Sequence, residues 1–369
     1  MTTAVYAQVK IGVTLSATGP AASLGIPERN TAHLLPTKIG GQDVQYIIYD
    51  DASDTTAAVK NAHKLINEDH VDAIIGSSIT VNTLAMLDVI GPAHVPTVSM
   101  AASKRLVSPM DANRHWMFKT VQNDSLLMTA TVKNMAANGV KKVAYIGFAD
   151  GYGDSWLDEL RQIAPKHGIT VVANERYART DTSATAIVLK VMAANPDAVF
   201  IGASGTPGAL PQTELVRRGF KGKIYQTQGI ANQDFLRVCG KDCEGTLLAV
   251  GPVLVATQLP DSHPAKAIAL DYIKHYEDKY GKGTVSPFGT HMWDAGRLLE
   301  HAIPIALKTA KPGTEAFRSA VRDALEQTKN LQVGNGVLNM TPTDHAGFDE
   351  RGVVMVKIEN GTYKLVPTK

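Results

Sequence analysis

The sequence predicts an α/β protein of two doubly wound, Rossmann-like lobes, and three observations carry that prediction. Strand and helix patterns alternate from residue 8 to residue 99, and the alternation restarts at residue 129. At 369 residues the chain is long enough for two domains that each bury a core.

Residues 8–15, QVKIGVTL, read as a strand, followed by a turn over 16–20 and a helix over 22–36. A second strand over 44–49 closes on Asp50 and Asp51, and Ser53 or Asp54 caps a helix over 55–67. The apolar run 72–75, a helix of about a dozen residues from Thr80, a Gly-Pro stop and a strand over 94–99 form one βαβ unit. Its strands carry few charges, as strands covered on both faces do.

The second alternation predicts a helix over 129–138, a strand over 142–147, a helix through Leu157 and Ile163, and a strand over 170–174. A helix over 183–194, a strand over 198–202, a helix over 210–218 and a strand over 223–227 follow. Beyond a strand over 246–250 come long amphipathic helices over 264–280, 292–307 and 315–327. Helices without strands of their own must cover a sheet made elsewhere, so they are expected to return to the first lobe. Residues 336–369 read as β-rich, with a hairpin turning at Asn360-Gly361.

Residues 75–103, IGSSITVNTLAMLDVIGPAHVPTVSMAAS, carry the chemistry. Ser77, Ser78 and Thr80 follow one strand, and Ser99 and Ser103 follow the next. Adjacent parallel strands bring both turns to the carboxyl edge, where open α/β sheets bind ligands. Helix amino ends present unpaired N–H groups and partial positive charge, and hydroxyls add donors without bulk, so a small anion is the expected guest. A carboxylate fits better than a phosphate: no glycine-rich phosphate loop with its lysine occurs, only Lys104 and Arg105 beyond the second turn. Ordinary helix capping is the competing use of these hydroxyls.

The net charge of +2, from 37 basic and 35 acidic residues, provides no polycationic field, so no nucleic-acid partner is expected. No apolar run approaches the length of a membrane-spanning helix. Residues 1–7, ending Ala4-Val5-Tyr6-Ala7, resemble the tail of a secretory signal, which puts the mature start near Gln8 and implies export. The two cysteines, Cys239 and Cys243, cannot build a four-ligand zinc site; a small disulfide loop is expected in an exported protein, with two free thiols as the alternative.

No G-x-S-x-G elbow, H-E-x-x-H, phosphate loop or complete G-x-G-x-x-G occurs, so no catalytic residue and no cofactor are expected. Ser286, His291 and Asp294 read as a cap and two surface residues, and eleven scattered histidines predict no metal.

Taken in order, KIGVTLSATGPAASLG, YDDASDTTAAVKNAHKLI, the unit at 75–103, VAYIGFADGYGDSW and PDAVFIGAS…LVRRGFKGKIYQTQG resemble the leucine/isoleucine/valine-binding protein family of bacterial ABC importers, the type I periplasmic solute-binding proteins. The resemblance covers nearly the whole chain. It implies two lobes joined by a three-crossing hinge and closing like a trap on a small solute, in a monomer that serves an inner-membrane permease and ATPase complex. Lobe 1 would comprise residues 8–121 and 252–333, and lobe 2 residues 122–251 and 334–369.

Ligand positions implied by the resemblance fall on Thr80 or Ser78 for the carboxylate, on Ala101 and Ser103 at the next strand end, on Tyr152 of the Tyr-Gly motif and on Phe288. Three positions depart from the amino-acid-binding pattern: Leu24 replaces a Trp, Ser204 or Gly205 replaces a Tyr, and Gln228 replaces the acid that pairs with the ligand ammonium. A neutral amide cannot neutralise a buried cation. An aromatic acid of benzoate or phenylpropanoid type is therefore favoured over a branched-chain amino acid or an amide, and a ligand sensor with the same architecture is a third reading.

Overall fold

The computed structural model describes residues 8–367, so the expected signal remnant at 1–7 lies outside the described residues. Two units each carry a core, one from residues 8–121 and 288–348, the other from residues 122–287 and 349–367.

Unit 1 begins β1 (Val9–Leu15), α1 (Ala22–Ala32), β2 (Lys38–Ile39), β3 (Gln42–Asp50), α2 (Thr55–Asn67), β4 (Ala73–Ile75), α3 (Thr80–Ile90), β5 (Thr97–Ser99) and β6 (Met117–Lys119). Its sheet runs β2-β3-β1-β4-β5-β6, with β1 parallel to both β3 and β4. Val9, Ile11, Val13 and Leu15 are fully buried on one face of β1. On the other face a Cβ on Gly12 would strike Leu65 of α2 at 2.8 Å, so the glycine lets that helix seat close to the sheet. Asp54 caps α2 by accepting the Ala57 N–H at 2.7 Å.

Unit 2 contains α4 (Asp124–Ala137), β7 (Lys142–Phe148), α5 (Gly151–Ile163), β8 (Thr170–Tyr177), α6 (Thr185–Ala193), β9 (Ala198–Gly202), α7 (Ala209–Arg217), β10 (Lys223–Gln226), α8 (Gln233–Cys239), β11 (Leu247–Val250) and α9 (Lys266–Tyr280). The chain then re-enters unit 1 with α10 (Pro287–Ala306), α11 (Glu315–Glu326), β12 (Leu331–Val333) and β13 (Gly336–Leu338), and closes unit 2 with β14 (Val354–Glu359) and β15 (Thr362–Leu365). The second sheet runs β15-β14-β11-β10-β9-β7-β8. Its final hairpin turns at Asn360-Gly361, both at positive φ, as a two-residue Asn-Gly turn requires.

The division differs from the expected one at two crossings. The second falls at residues 287/288 rather than near 252. The segment after β11 stays in unit 2 because Val255 and Leu259 pack with Val250, Val356 and Ile358, while Gln258 exchanges hydrogen bonds with the backbone of Tyr363 and Leu365. The third crossing falls at 348/349 rather than near 334, since Val333, Leu338 and Met340 bury into the core made by α10 and α11. Of the three long helices expected to return to unit 1, α10 and α11 do so and α9 does not. Helix α4 starts at Asp124, not residue 129, because Asp124 is buried and takes the Ser155 hydroxyl.

Candidate functional site

In unit 1 the turns after β4 and β5 are neighbours, as parallel pairing of Ile74 with Thr97 and Ile75 with Val98 dictates. A chain of polar contacts joins them. The Ser77 N–H donates to Thr83 Oγ1 at 3.1 Å, Thr83 Oγ1 lies 3.3 Å from Ser99 Oγ, and that oxygen accepts the Ala101 N–H at 3.0 Å. Gly76 enters this edge at φ +142°, where a Cβ would sit 2.1 Å from the Thr14 carbonyl oxygen.

The sequence-predicted hydroxyls play unequal parts here. Thr80, 1 % exposed, opens α3 with its Oγ1 unpartnered, and the Ile79 side chain provides no cap. A buried hydroxyl without a partner at a helix amino end is a vacant donor for an anion. Ser103 accepts the Arg105 N–H at 3.2 Å, the capping geometry. Ala101 is buried with its N–H already given to Ser99. Ser78 accepts the Ser16 N–H at 2.9 Å and pairs with the carboxyl group of Glu28.

Glu28 escaped the sequence reading, since an acid inside a helix ordinarily faces water. It is fully buried on α1, and burial, reinforced by the nearby Asp51 carboxylate and opposed by the Ser78 bond, raises its carboxyl well above the usual range. The Ser78 hydroxyl donates its hydrogen to the Glu28 carboxyl group. Asp51 accepts from Ser16 Oγ at 2.7 Å and Ser77 Oγ at 2.6 Å, tying the turn after β1 to the turn after β4. Lys119, also buried, donates to the Ala102 carbonyl and brings a positive charge under the second turn. Leu24 and Phe288 pack together with Ala21 and Ile79 in a small apolar cluster of the same unit.

In unit 2 four consecutive positions of the parallel sheet deliver polar groups to the carboxyl edge. Asp150, after β7, caps α5 by accepting the Tyr152 and Gly153 N–H groups at 2.9 and 3.1 Å. Arg179, after β8, donates from Nε to Asp150 at 2.7 Å and from Nη1 to Ser204 Oγ, after β9, at 3.1 Å. Its guanidinium lies 4.1 Å from the Phe148 ring centroid and 5.7 Å from that of Tyr152, while Nη2 is buried without a partner. Tyr152 donates its phenol hydrogen to Thr227 Oγ1 at 2.8 Å, leaving its ring as the contact surface. Gln228, after β10, is 3 % exposed and its Oε1 has no partner. Gly229 permits this packing, because a Cβ there would meet the Ser204 Cβ at 2.6 Å and the Tyr152 hydroxyl at 2.7 Å. Tyr152, Ser204 and Gln228 thus share one edge, and Arg179, which the sequence reading missed, ties it together.

A periplasmic binding protein family model matches residues 8–362. The chain belongs to that family. Among solved structures, an extracellular ligand-binding receptor from Rhodopseudomonas palustris is 45% identical at a TM-score of 0.95, covering 98% of this chain and 100% of its own. The leucine-, isoleucine-, valine-, threonine- and alanine-binding protein of Pseudomonas aeruginosa is 23% identical over 353 residues, 93% of this chain and 86% of the relative. An ABC-transporter solute-binding protein from R. palustris, solved with benzoate, shares the fold at 19% identity and a TM-score of 0.83 over 98% of this chain and 96% of its own. As a member of the periplasmic binding protein family the chain is a solute-binding protein and not an enzyme. Among the described residues no helix is long and apolar enough to cross a membrane.

Other expectations change with the structure. His291 and Asp294 are buried, not surface residues. Asp294 accepts the Gly334 and Asn335 N–H groups at 2.7 and 3.1 Å, and the His291 Nδ1–H donates to the Thr120 carbonyl at 3.1 Å. Burial pushes Asp294 up to about 7 and His291 down to about 3. The pair fastens backbone segments of unit 1. Cys239 and Cys243 are two buried free thiols, not the expected disulfide; Cys243 Sγ donates to the Gly240 carbonyl at 3.0 Å.

Proposed function

We propose that this periplasmic binding protein captures a small carboxylate with an aromatic body and delivers it to a permease and ATPase complex. The observation that carries this reading is the charge at the unit 2 edge. Two buried polar atoms without partners there are Arg179 Nη2, a cation's donor, and Gln228 Oε1, a neutral acceptor. The edge carboxylate, Asp150, is consumed by Arg179 and by the start of α5. An α-ammonium group would meet a guanidinium and no uncommitted acid, an unfavourable pairing in a low-dielectric site. A hydroxyl or oxyanion on an aromatic body suits Arg179, Gln228 and the Tyr152 ring of unit 2; separately, the unpartnered Thr80 hydroxyl of unit 1 suits a carboxylate. That this fold accommodates benzoate in a relative is consistent with the reading.

A thermal-shift screen of aromatic acids, aliphatic acids, amides and branched-chain amino acids, followed by calorimetry, tests it. Aromatic acids should raise the melting temperature by mass action and be recovered unchanged. Gln228→Glu should weaken them by adding a second negative charge. Tight binding of leucine or valine with no response to aromatic acids would replace this reading by the amino-acid specificity for which the P. aeruginosa relative is named.

A further inference from the structure

We propose that unit 1 carries a divalent transition-metal site, suited to Zn2+, formed by His115, Glu326 and His345. The three residues come from separate segments: the approach to β6, the last position of α11, and the loop after β13. His345 Nε2 lies 3.2 Å from Glu326 Oε1, His115 Nδ1 lies 3.3 Å from the same oxygen, and the three ligand atoms fall within 4.8 Å of one another.

The protonation of His345 is fixed by its surroundings. Its Nδ1 is 2.9 Å from the Met117 carbonyl oxygen, which can only accept, so Nδ1 carries the hydrogen and Nε2 presents a lone pair. A backbone carbonyl behind an imidazole is the usual outer partner of a metal-binding histidine. The ring is held in plane by stacking on Phe118, centroids 4.0 Å apart at 13°. His345 Nε2 therefore faces a carboxylate oxygen at 3.2 Å, with a His115 ring nitrogen 3.3 Å from the same atom, and a metal cation among the three groups would engage all of them.

Size and donor type select the cation. Ligands about 2.0–2.1 Å from a tetrahedral ion stand about 3.3 Å apart, which matches both contacts to Glu326. Two imidazoles and one carboxylate suit zinc and its neighbours, whereas calcium and magnesium prefer all-oxygen sets. The ion has a route in, because the His115 side chain, 37% exposed, borders a surface hollow of about 570 Å³ shared with His94, Asp111, Trp116 and Arg322. Arg322 is committed to Asp323 and to the Trp116 ring. Once bound, the ion would join the three segments and stabilise unit 1.

The test uses the full chain, stripped with chelator and titrated with Zn2+, Ca2+ or Mg2+ by calorimetry, with bound metal counted by elemental analysis. One zinc per chain is expected, with a raised melting temperature and no comparable response to calcium or magnesium. His115→Ala and Glu326→Gln should each weaken zinc binding by about tenfold or more. Both variants should keep the metal-free melting temperature and the solute affinity of the parent, which separates this site from the solute site. Absence of stoichiometric zinc in the parent, or equal zinc binding by both variants, would overturn the proposal and leave a proton shared between His345 and Glu326.

Discussion

The Arg179 guanidinium meets the Asp150 carboxylate at 2.7 Å, and both side chains are mostly buried, 13% and 18% exposed. Asp150 is itself anchored by the first N–H groups of α5, so a helix end aims the arginine across the sheet edge. Asp150→Asn preserves an acceptor for the helix and removes the charge that holds Arg179. Affinity for an aromatic acid should fall about tenfold, near the lower value for a charge-assisted hydrogen bond, and the melting temperature should fall as well, because Arg179 keeps a mostly buried charge without its partner. Calorimetry on the folded variant checks this; unchanged affinity would make Arg179 a purely structural residue.

Thr80→Val separates binding from folding. The Thr80 hydroxyl is buried without a partner, so its replacement by a methyl group should leave stability equal or slightly raised. Carboxylate binding should weaken by about 1.5–3 kcal/mol, the range for a hydrogen bond to a charged group. A loss of stability with intact affinity would assign the hydroxyl to the fold.

Glu28 gives the protein a pH dependence whose sign follows from burial. Its folded carboxyl titrates above its unfolded value of about 4.3, so its contribution is fully present below that pH and is lost as pH rises through the folded value. Glu28→Gln should therefore raise the melting temperature at neutral and alkaline pH and change little near pH 4. The amide oxygen still accepts from Ser78 but the side chain no longer ionises, so the pH dependence of stability that Glu28 causes should flatten in the variant. A denaturation series across pH checks both.

Cys239 and Cys243 are buried as thiols, 4% and 0% exposed. Alkylation of the native protein should be slow, and the unfolded, unreduced protein should take up two equivalents. Zero uptake, measured by mass spectrometry, would show instead the bond expected of an exported chain.

Much of the fold was legible because its causes are local. Period-two and continuous apolar runs mark β1, β3, β7 and β9, and Asp54 and Asn360-Gly361 carry their own cap and turn chemistry. The hydroxyl turns after β4 and β5 were legible too, because parallel pairing must place them side by side. Tyr152, Ser204 and Gln228 could be named one by one through the family resemblance, since each sits where a strand ends.

What the sequence by itself determined, then, is the alternation of elements, the two sheets and the strand ends that carry polar groups. Only the tertiary structure decided the partners of charged and polar side chains. Glu28 lies opposite Ser78, Arg179 lies between Asp150 and Ser204, and His115, Glu326 and His345 converge from separate segments. It also decided where the chain leaves unit 2, through the packing of Val255 and Leu259 rather than any linker composition. The physical reason is range: helix caps, turns and apolar periodicity act over a few residues, whereas burial, charge pairing and ligand geometry depend on neighbours brought together by folding.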